Sequence, residues 1–316
     1  MGRSAGATAE ARQCDDAPRG GQERRVRMSY FRVLGLEREP FSTSPDPAFF
    51  YQSKPHRALL ANLLIEFRLK RGLSVVLGDI GTGKTTLGRK LVQMLRERPH
   101  FVFHMVLDPT YPTEILFFDA LSRTLRIDLP RESPSLVDYR EALERFLFRK
   151  AIEERQTVVL IIDEAHKLNM MSMELLRILL NYETNDAKLL QLVLLGQMEL
   201  LPILTHMPNL TDRVSLKAQL KPLELDETRE MVGFRLREAG YRSSAPLFLD
   251  DAIRDIHGHC EGYPRRISMV CHQALRMLVM RDGRAVDRSI VEAVIDQEID
   301  AGWSAEKRLQ KSGFSA

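Results

Sequence analysis

Gly78-Asp79-Ile80-Gly81-Thr82-Gly83-Lys84-Thr85 matches the pattern G-x-x-x-x-G-K-[ST], a loop that cradles nucleotide phosphates. By average residue frequencies the pattern arises by chance in roughly one chain in a hundred of this length. Its flanks sharpen the reading. The apolar run Leu73-Ser74-Val75-Val76-Leu77 leads in as a buried strand, and Thr86 to Arg96 follows with Leu87, Leu91, Val92 and Leu95 at helical spacing. Strand, glycine loop and helix are the three parts that phosphate binding needs. Glycines let backbone N–H groups turn toward phosphate oxygens, and a helix N-terminus adds partial positive charge. Gly78, Asp79, Ile80, Gly81, Thr82, Gly83, Lys84, Thr85 and Thr86 are therefore the candidate nucleotide-binding stretch. Lys84 would reach the β- and γ-phosphates, and the Thr85 hydroxyl would ligate Mg²⁺.

A second stretch agrees. Val158-Val159-Leu160-Ile161-Ile162 is an uninterrupted apolar run ending in Asp163-Glu164. Such a run suits a central parallel strand covered on both faces. Ligands of these sheets sit at the carboxyl ends of the strands, so both carboxylates would arrive where the phosphates are. Asp163 would hold Mg²⁺, through water, and Glu164 would polarise a water for attack on the γ-phosphate. Ala165 and His166 complete the letters D-E-A-H, a string that also labels a helicase class. No second helicase-like half is legible, so His166 reads as a polar residue near the site.

At 316 residues the chain can hold two domains. Hydrophobic content of 44% and charged content of 28% fit a globular protein, and a net charge of +3 does not by itself imply nucleic acid. Cys14, Cys260 and Cys271 lack C-x-x-C spacing, which points to a reducing compartment without structural zinc. No transmembrane segment and no secretory signal are expected, since no apolar stretch approaches the ~18 residues of a span. A cytoplasmic location follows, peripheral to the inner membrane only through a partner.

Residues 1–27 hold almost no large apolar side chain and are expected to be a disordered N-terminal extension, with Met28 opening a different composition. Residues 28–220 are expected to form an α/β domain. Phe101–Leu107, Leu189–Leu195 and Val214–Leu220 supply further strands, and Thr113 and Ser135 are candidate helix caps. Strands alternating with helices indicate a parallel sheet. Residues 221–300 carry helical spacing only and should form a small all-helical domain, with Asp226 and Asp250 as caps; residues 301–316 read as a tail. Gln197, just past the fourth strand, should face the nucleotide. Arg265 and Arg266 follow Gly262-Tyr263-Pro264 at a helix start, where one of them would fold over the γ-phosphate. Arg235, Arg237, Arg242 and Arg254 are candidates for a basic stripe, although a solvated helical face is the plainer reading.

Assembled, these residues resemble an AAA+ ATPase, and within that group the ATPases of general secretion pathway protein A (ExeA-type), which are related to transposition ATPases of the TniB/TnsC type. The likeness covers residues 28 to 300. It rests on Tyr30-Phe31, Leu34-Gly35-Leu36, Pro40-Phe41, Ser44-Pro45-Asp46-Pro47 and Phe50-Tyr51, together with the phosphate loop, Asp163 to His166, Leu195-Gly196-Gln197 and Gly262 to Ile267. The resemblance implies a P-loop NTPase parallel sheet flanked by helices and followed by a helical lid. It implies ATP and Mg²⁺, with Gln197 as the sensor-1 residue and Arg265 as the sensor-2 arginine. Arg213 matches the place of an arginine finger reaching a neighbouring subunit's ATP, and Tyr51 and His56 would lie near the adenine. A homo-oligomer, ring or filament, formed with nucleotide is implied.

Three outputs compete: a motor for assembly or secretion of envelope, pilus or exopolysaccharide components; an ATPase that assembles on double-stranded DNA; and a nucleotide switch that barely turns over. Intact Asp163 and Glu164 argue against the third.

Overall fold

The computed structural model describes residues 29–129, 134–185 and 187–300. The expected N-terminal extension, 1–27, and the C-terminal tail, 301–316, lie outside the described residues. In chain order the helices are α1 (Tyr30–Val33), α2 (Lys54–Leu69), α3 (Lys84–Arg96), α4 (Glu114–Leu125), α5 (Leu136–Phe148), α6 (Met170–Leu179), α7 (Leu200–Thr205), α8 (Pro208–Thr211), α9 (Leu225–Glu238), α10 (Asp250–Cys260), α11 (Pro264–Met280) and α12 (Arg288–Asp300). The strands are β1 (Leu73–Gly78), β2 (Phe101–Val106), β3 (Thr157–Ile162), β4 (Leu190–Gly196) and β5 (Val214–Leu220).

The strands form one sheet in the order β2-β3-β4-β1-β5, every pair parallel. Composition explains the positions. β3 and β4 are buried along their whole length and lie inside the sheet. β5 alternates exposed and half-buried residues, as an edge strand covered on one face does. Successive residues of β3 enter opposite cores. Val158, Leu160 and Ile162 pack with side chains of α4, α5 and α6, whereas Val159 and Ile161 pack with those of α2 and α3. The one fully polar side chain inside β4, Gln191, accepts from Gly72 N at 2.9 Å and donates to Lys188 O at 3.0 Å, which removes the cost of its burial.

Thr113 and Ser135 cap α4 and α5 as expected, Ser135 in a reciprocal capping box with Asp138. Two expected caps differ. Glu224, not Asp226, is the N-cap of α9, paired in a capping box with Glu227, and Leu249 precedes α10. Asp226 and Asp250 fall inside the first turns, where their charge complements the helix dipole instead.

α9 to α12 enclose a third core of their own, and the segment before α2 joins it. Leu36, Phe41 and Phe49 are buried there beside Met231, Phe248 and Leu275. Residues 30–49 therefore pack with the helices near the carboxyl end, not with the sheet that follows them in sequence. Among the described residues no helix is long and apolar enough to cross a membrane.

The turn between α10 and α11 fixes how these helices meet the rest. Gly262 has φ +75°, and a Cβ there would stand 2.1 Å from Leu223 O. Its own carbonyl accepts from Leu223 N at 2.8 Å. Gly262→Ala must displace backbone as well as adopt a left-handed conformation, and should cost about 3 kcal/mol or more in urea-monitored unfolding. Gly35→Ala, with φ +73° and open space around the Cβ, should cost only about 1 kcal/mol.

Candidate nucleotide site

β1 ends at Gly78, and the chain turns through Gly81 (φ +87°) and Gly83 (φ +100°) before α3 begins. These left-handed conformations aim backbone N–H groups into the loop. No side chain caps α3, so its first N–H groups remain available for an anion. Lys84 is buried, and its Nζ donates to Gly78 O at 2.7 Å and Asp79 O at 3.0 Å. Burial pushes its pKa down, opposed by the nearby carboxylates of Glu164, Asp163 and Asp79.

The sheet register brings the other loops to the same edge. Leu77 is level with Gly196, and Ile162 with Leu194, so the residues that follow β3 and β4 emerge beside the phosphate loop. The Thr85 hydroxyl donates to Asp163 Oδ2 at 2.5 Å. Asp163 Oδ1 accepts from Glu164 N at 3.0 Å, and burial raises the pKa of this carboxyl against those bonds. A hydroxyl and a carboxylate on converging elements are the hard oxygen donors that suit Mg²⁺, which keeps several waters and takes phosphate oxygens for the rest. Among the described residues no group of three or more His, Cys, Asp or Glu forms a complete protein cage for a metal.

Glu164 has φ +51°, a left-handed backbone that costs about 1 kcal/mol for a residue with a Cβ. Its carboxylate lies 3.5 Å from both His166 Nε2 and Gln197 Nε2. Gln197 N donates to His166 Nδ1 at 3.4 Å, and His166 Nε2 lies 3.1 Å from Gln197 Nε2. Glu164, His166 and Gln197 thus form one network at the mouth of the sheet.

The α11 N-terminus lies directly on the phosphate loop. Arg265 N donates to Gly81 O at 3.3 Å, and Tyr263 OH donates to Asp79 Oδ2 at 3.1 Å. Between loop and helices lies a cavity of about 520 Å³ whose wall includes Lys84, Thr85, Thr86, Glu164, Gln197 and Arg265. Arg266 is turned away. It donates to Glu261 Oε2 at 3.0 Å and His259 O at 2.8 Å, so Arg265 is the member of the pair that faces the cavity.

Tyr51, His56 and Arg213 are not part of the cavity wall. Tyr51 donates to Glu230 and packs on Phe234, while His56 is buried behind the loop with Nδ1 at 2.8 Å from Ser53 Oγ. The segment Ser42–Pro45 forms that wall instead, because residues 41–49 are drawn against the helical core. Arg213 precedes Val214, which pairs with Leu73 at the amino end of β1. Five residues of strand put it about 15–20 Å from the chain's own phosphate loop. Arg235, expected on a basic stripe, lines the cavity, whereas Arg237, Arg242 and Arg254 are exposed. Only the spacing of Arg235 with buried Met231 and Val232 on α9 hinted at this.

Residues 68–204 match the AAA domain family. General secretion pathway protein A of Aeromonas hydrophila is 32% identical over 248 residues, covering 78% of this chain and 44% of that protein. The chain thus spans less than half the length of that relative. Among solved structures, Cdc6p of Pyrobaculum aerophilum superimposes with a TM-score of 0.62 at 18% identity, covering 82% of this chain and 70% of that one. The Drosophila ORC bound to DNA gives 0.61 at 18% identity, covering 98% and 74%. At such identities these structures speak for the fold alone.

The two neighbouring arginines offer a test of the geometry. Arg265→Ala should weaken ATP binding about tenfold, the worth of one charge-assisted hydrogen bond, while Arg266→Ala should stay within about twofold of the parent. Isothermal titration of each variant decides it; equal losses would break the assignment.

Proposed function

Because this chain belongs to the AAA+ ATPases, of the type represented by general secretion pathway protein A, we propose that it binds ATP with Mg²⁺ and hydrolyses it to drive assembly or secretion of envelope, pilus or exopolysaccharide components. The observation that carries the reading is convergence. The phosphate loop, Glu164, Gln197 and Arg265 of the helical lid all line one cavity, and Asp163 is bonded to Thr85 of its wall.

Phosphates would enter at the uncapped start of α3, held by loop N–H groups and by Lys84, whose Nζ exchanges loop carbonyls for phosphate oxygens. Thr85 and Asp163 would hold Mg²⁺, which when bound neutralises charge on the phosphates. Glu164 orients the attacking water and accepts its proton at the carboxylate, held in place by His166 and Gln197. Arg265 adds positive charge from the lid, so the phosphates bias the angle of α11 against the loop. Arg213 stands too far from its own site to act in cis. This supports a role on a neighbouring subunit's ATP, and with it a homo-oligomer.

The secretion role rests on the part shared with general secretion pathway protein A. A second reading is a DNA-assembled ATPase, favoured by Arg237, Arg242 and Arg254, which stand exposed on the lid. The two are separated by measuring ATPase rate against protein concentration, with and without double-stranded DNA at moderate salt. Upward curvature indifferent to DNA supports the protein-directed motor, and DNA stimulation supports the second reading. A strictly proportional rate would remove the subunit-interface role of Arg213. Glu164→Gln should retain ATP affinity and lose about 100-fold or more in turnover. Undiminished hydrolysis would exclude Glu164 as the base.

A further inference from the structure

Arg235 is a charge without a partner. It sits on α9 between buried Val232 and Leu236, and its Nε and Nη1 are sealed from solvent with no hydrogen-bond acceptor. Among the described residues it makes no ion pair. The two groups that act on it most, Cys271 and Asp46, make no hydrogen bond to it, and Asp46 supports its charge only through space. Asp46 already accepts from Arg38 Nη2 at 2.8 Å and from Ala48 N at 2.8 Å. Cys271 is fully buried, and burial holds its thiol well above the ordinary range, hence neutral. Burial also brings the Arg235 guanidinium down to about 10, which leaves it charged at neutral pH. The residue as a whole is half-buried, but donors sealed from water without an acceptor are costly, and a native fold seldom retains them unless something else supplies the acceptor.

The place of the side chain says what that acceptor is. Arg235 lines the cavity described above, together with Gly83, Thr86 and Ser268, and stands on a different lid helix from Arg265. A guanidinium presents a planar fork of donors that matches an oxyanion far better than the neutral edge of a base. Resting on the nucleotide reading above, we infer that Arg235 is a second lid arginine that pairs with the phosphate chain of the bound nucleotide, so that α9 and α11 both report its presence. The lid then closes on the phosphates through two helices, each carrying one arginine.

The test uses Arg235→Met, which keeps the length of the side chain and removes its charge, with Arg237→Met, exposed on the same helix, as control. Binding of ATP and of inorganic tripolyphosphate is measured by calorimetry, and melting is measured without ligand. Arg235→Met should weaken both ligands by about tenfold or more, while the unliganded protein melts no lower than the parent because an unpaired charge has gone. Arg237→Met should change neither. Parental affinities in Arg235→Met overturn the inference, as does a loss confined to ATP with tripolyphosphate binding intact, which would put the side chain on the base or ribose. A lowered melting temperature with parental affinity would make Arg235 a packing residue only. If the parent itself binds no ATP, or Lys84→Ala binds it as well as the parent does, the nucleotide reading fails first, and the two failures are distinct.

Discussion

Parallel register across β3, β4 and β1 is the constraint on which the site depends. Ile162 is level with Leu194, and Leu77 with Gly196. Three loops leave the sheet at one edge as a result: the phosphate loop after Gly78, Asp163-Glu164 after β3, and Gln197 after β4. The register is held by burial on both faces. Alternate residues of β3 feed separate cores, so a slip of one residue would exchange the members of both. The hydroxyl of Thr85 can reach Asp163 across β4 only because that packing keeps the strand ends aligned.

The contact between lid and loop is built on a different scale. Arg265 N to Gly81 O and Tyr263 OH to Asp79 are single hydrogen bonds, each worth about 1 kcal/mol net. The lid's own core, by contrast, buries large side chains such as Phe41, Phe248 and Leu275. The lid is therefore internally firm and only lightly latched to the sheet. Residues 41–53 tie the two parts together: Phe41 and Phe49 sit in the lid core, while Pro45 O accepts from Arg89 of α3 at 2.9 Å.

Glu164 shows how local strain and network geometry combine. Its left-handed backbone turns the chain sharply at the end of β3, and the next residues form the short turn that carries His166. His166 in turn meets the Gln197 backbone and amide. The letters D-E-A-H therefore mark a positioning cluster here, with the imidazole between the loops after β3 and β4.

Much of this was legible without coordinates, because the signals are local. A glycine loop between an apolar strand and a helix, and an apolar strand ending in two carboxylates, each carry their chemistry within a dozen residues, and hydrophobic periodicity gave the five parallel strands and the lid helices. The order of strands in the sheet, the packing of residues 30–49 on helices some two hundred positions away, and the placement of Arg265 against Gly81 come only from long-range contacts that no local pattern encodes. Tyr51 and His56, expected near the adenine from the family resemblance, do not line the cavity, because the aromatic segment folds so that Ser42–Pro45 faces it. Arg235 looked like one more solvated arginine. The sealing of its Nε and Nη1 depends on which face of α9 meets the core and on what closes over it, and charge in a sequence carries no information about either.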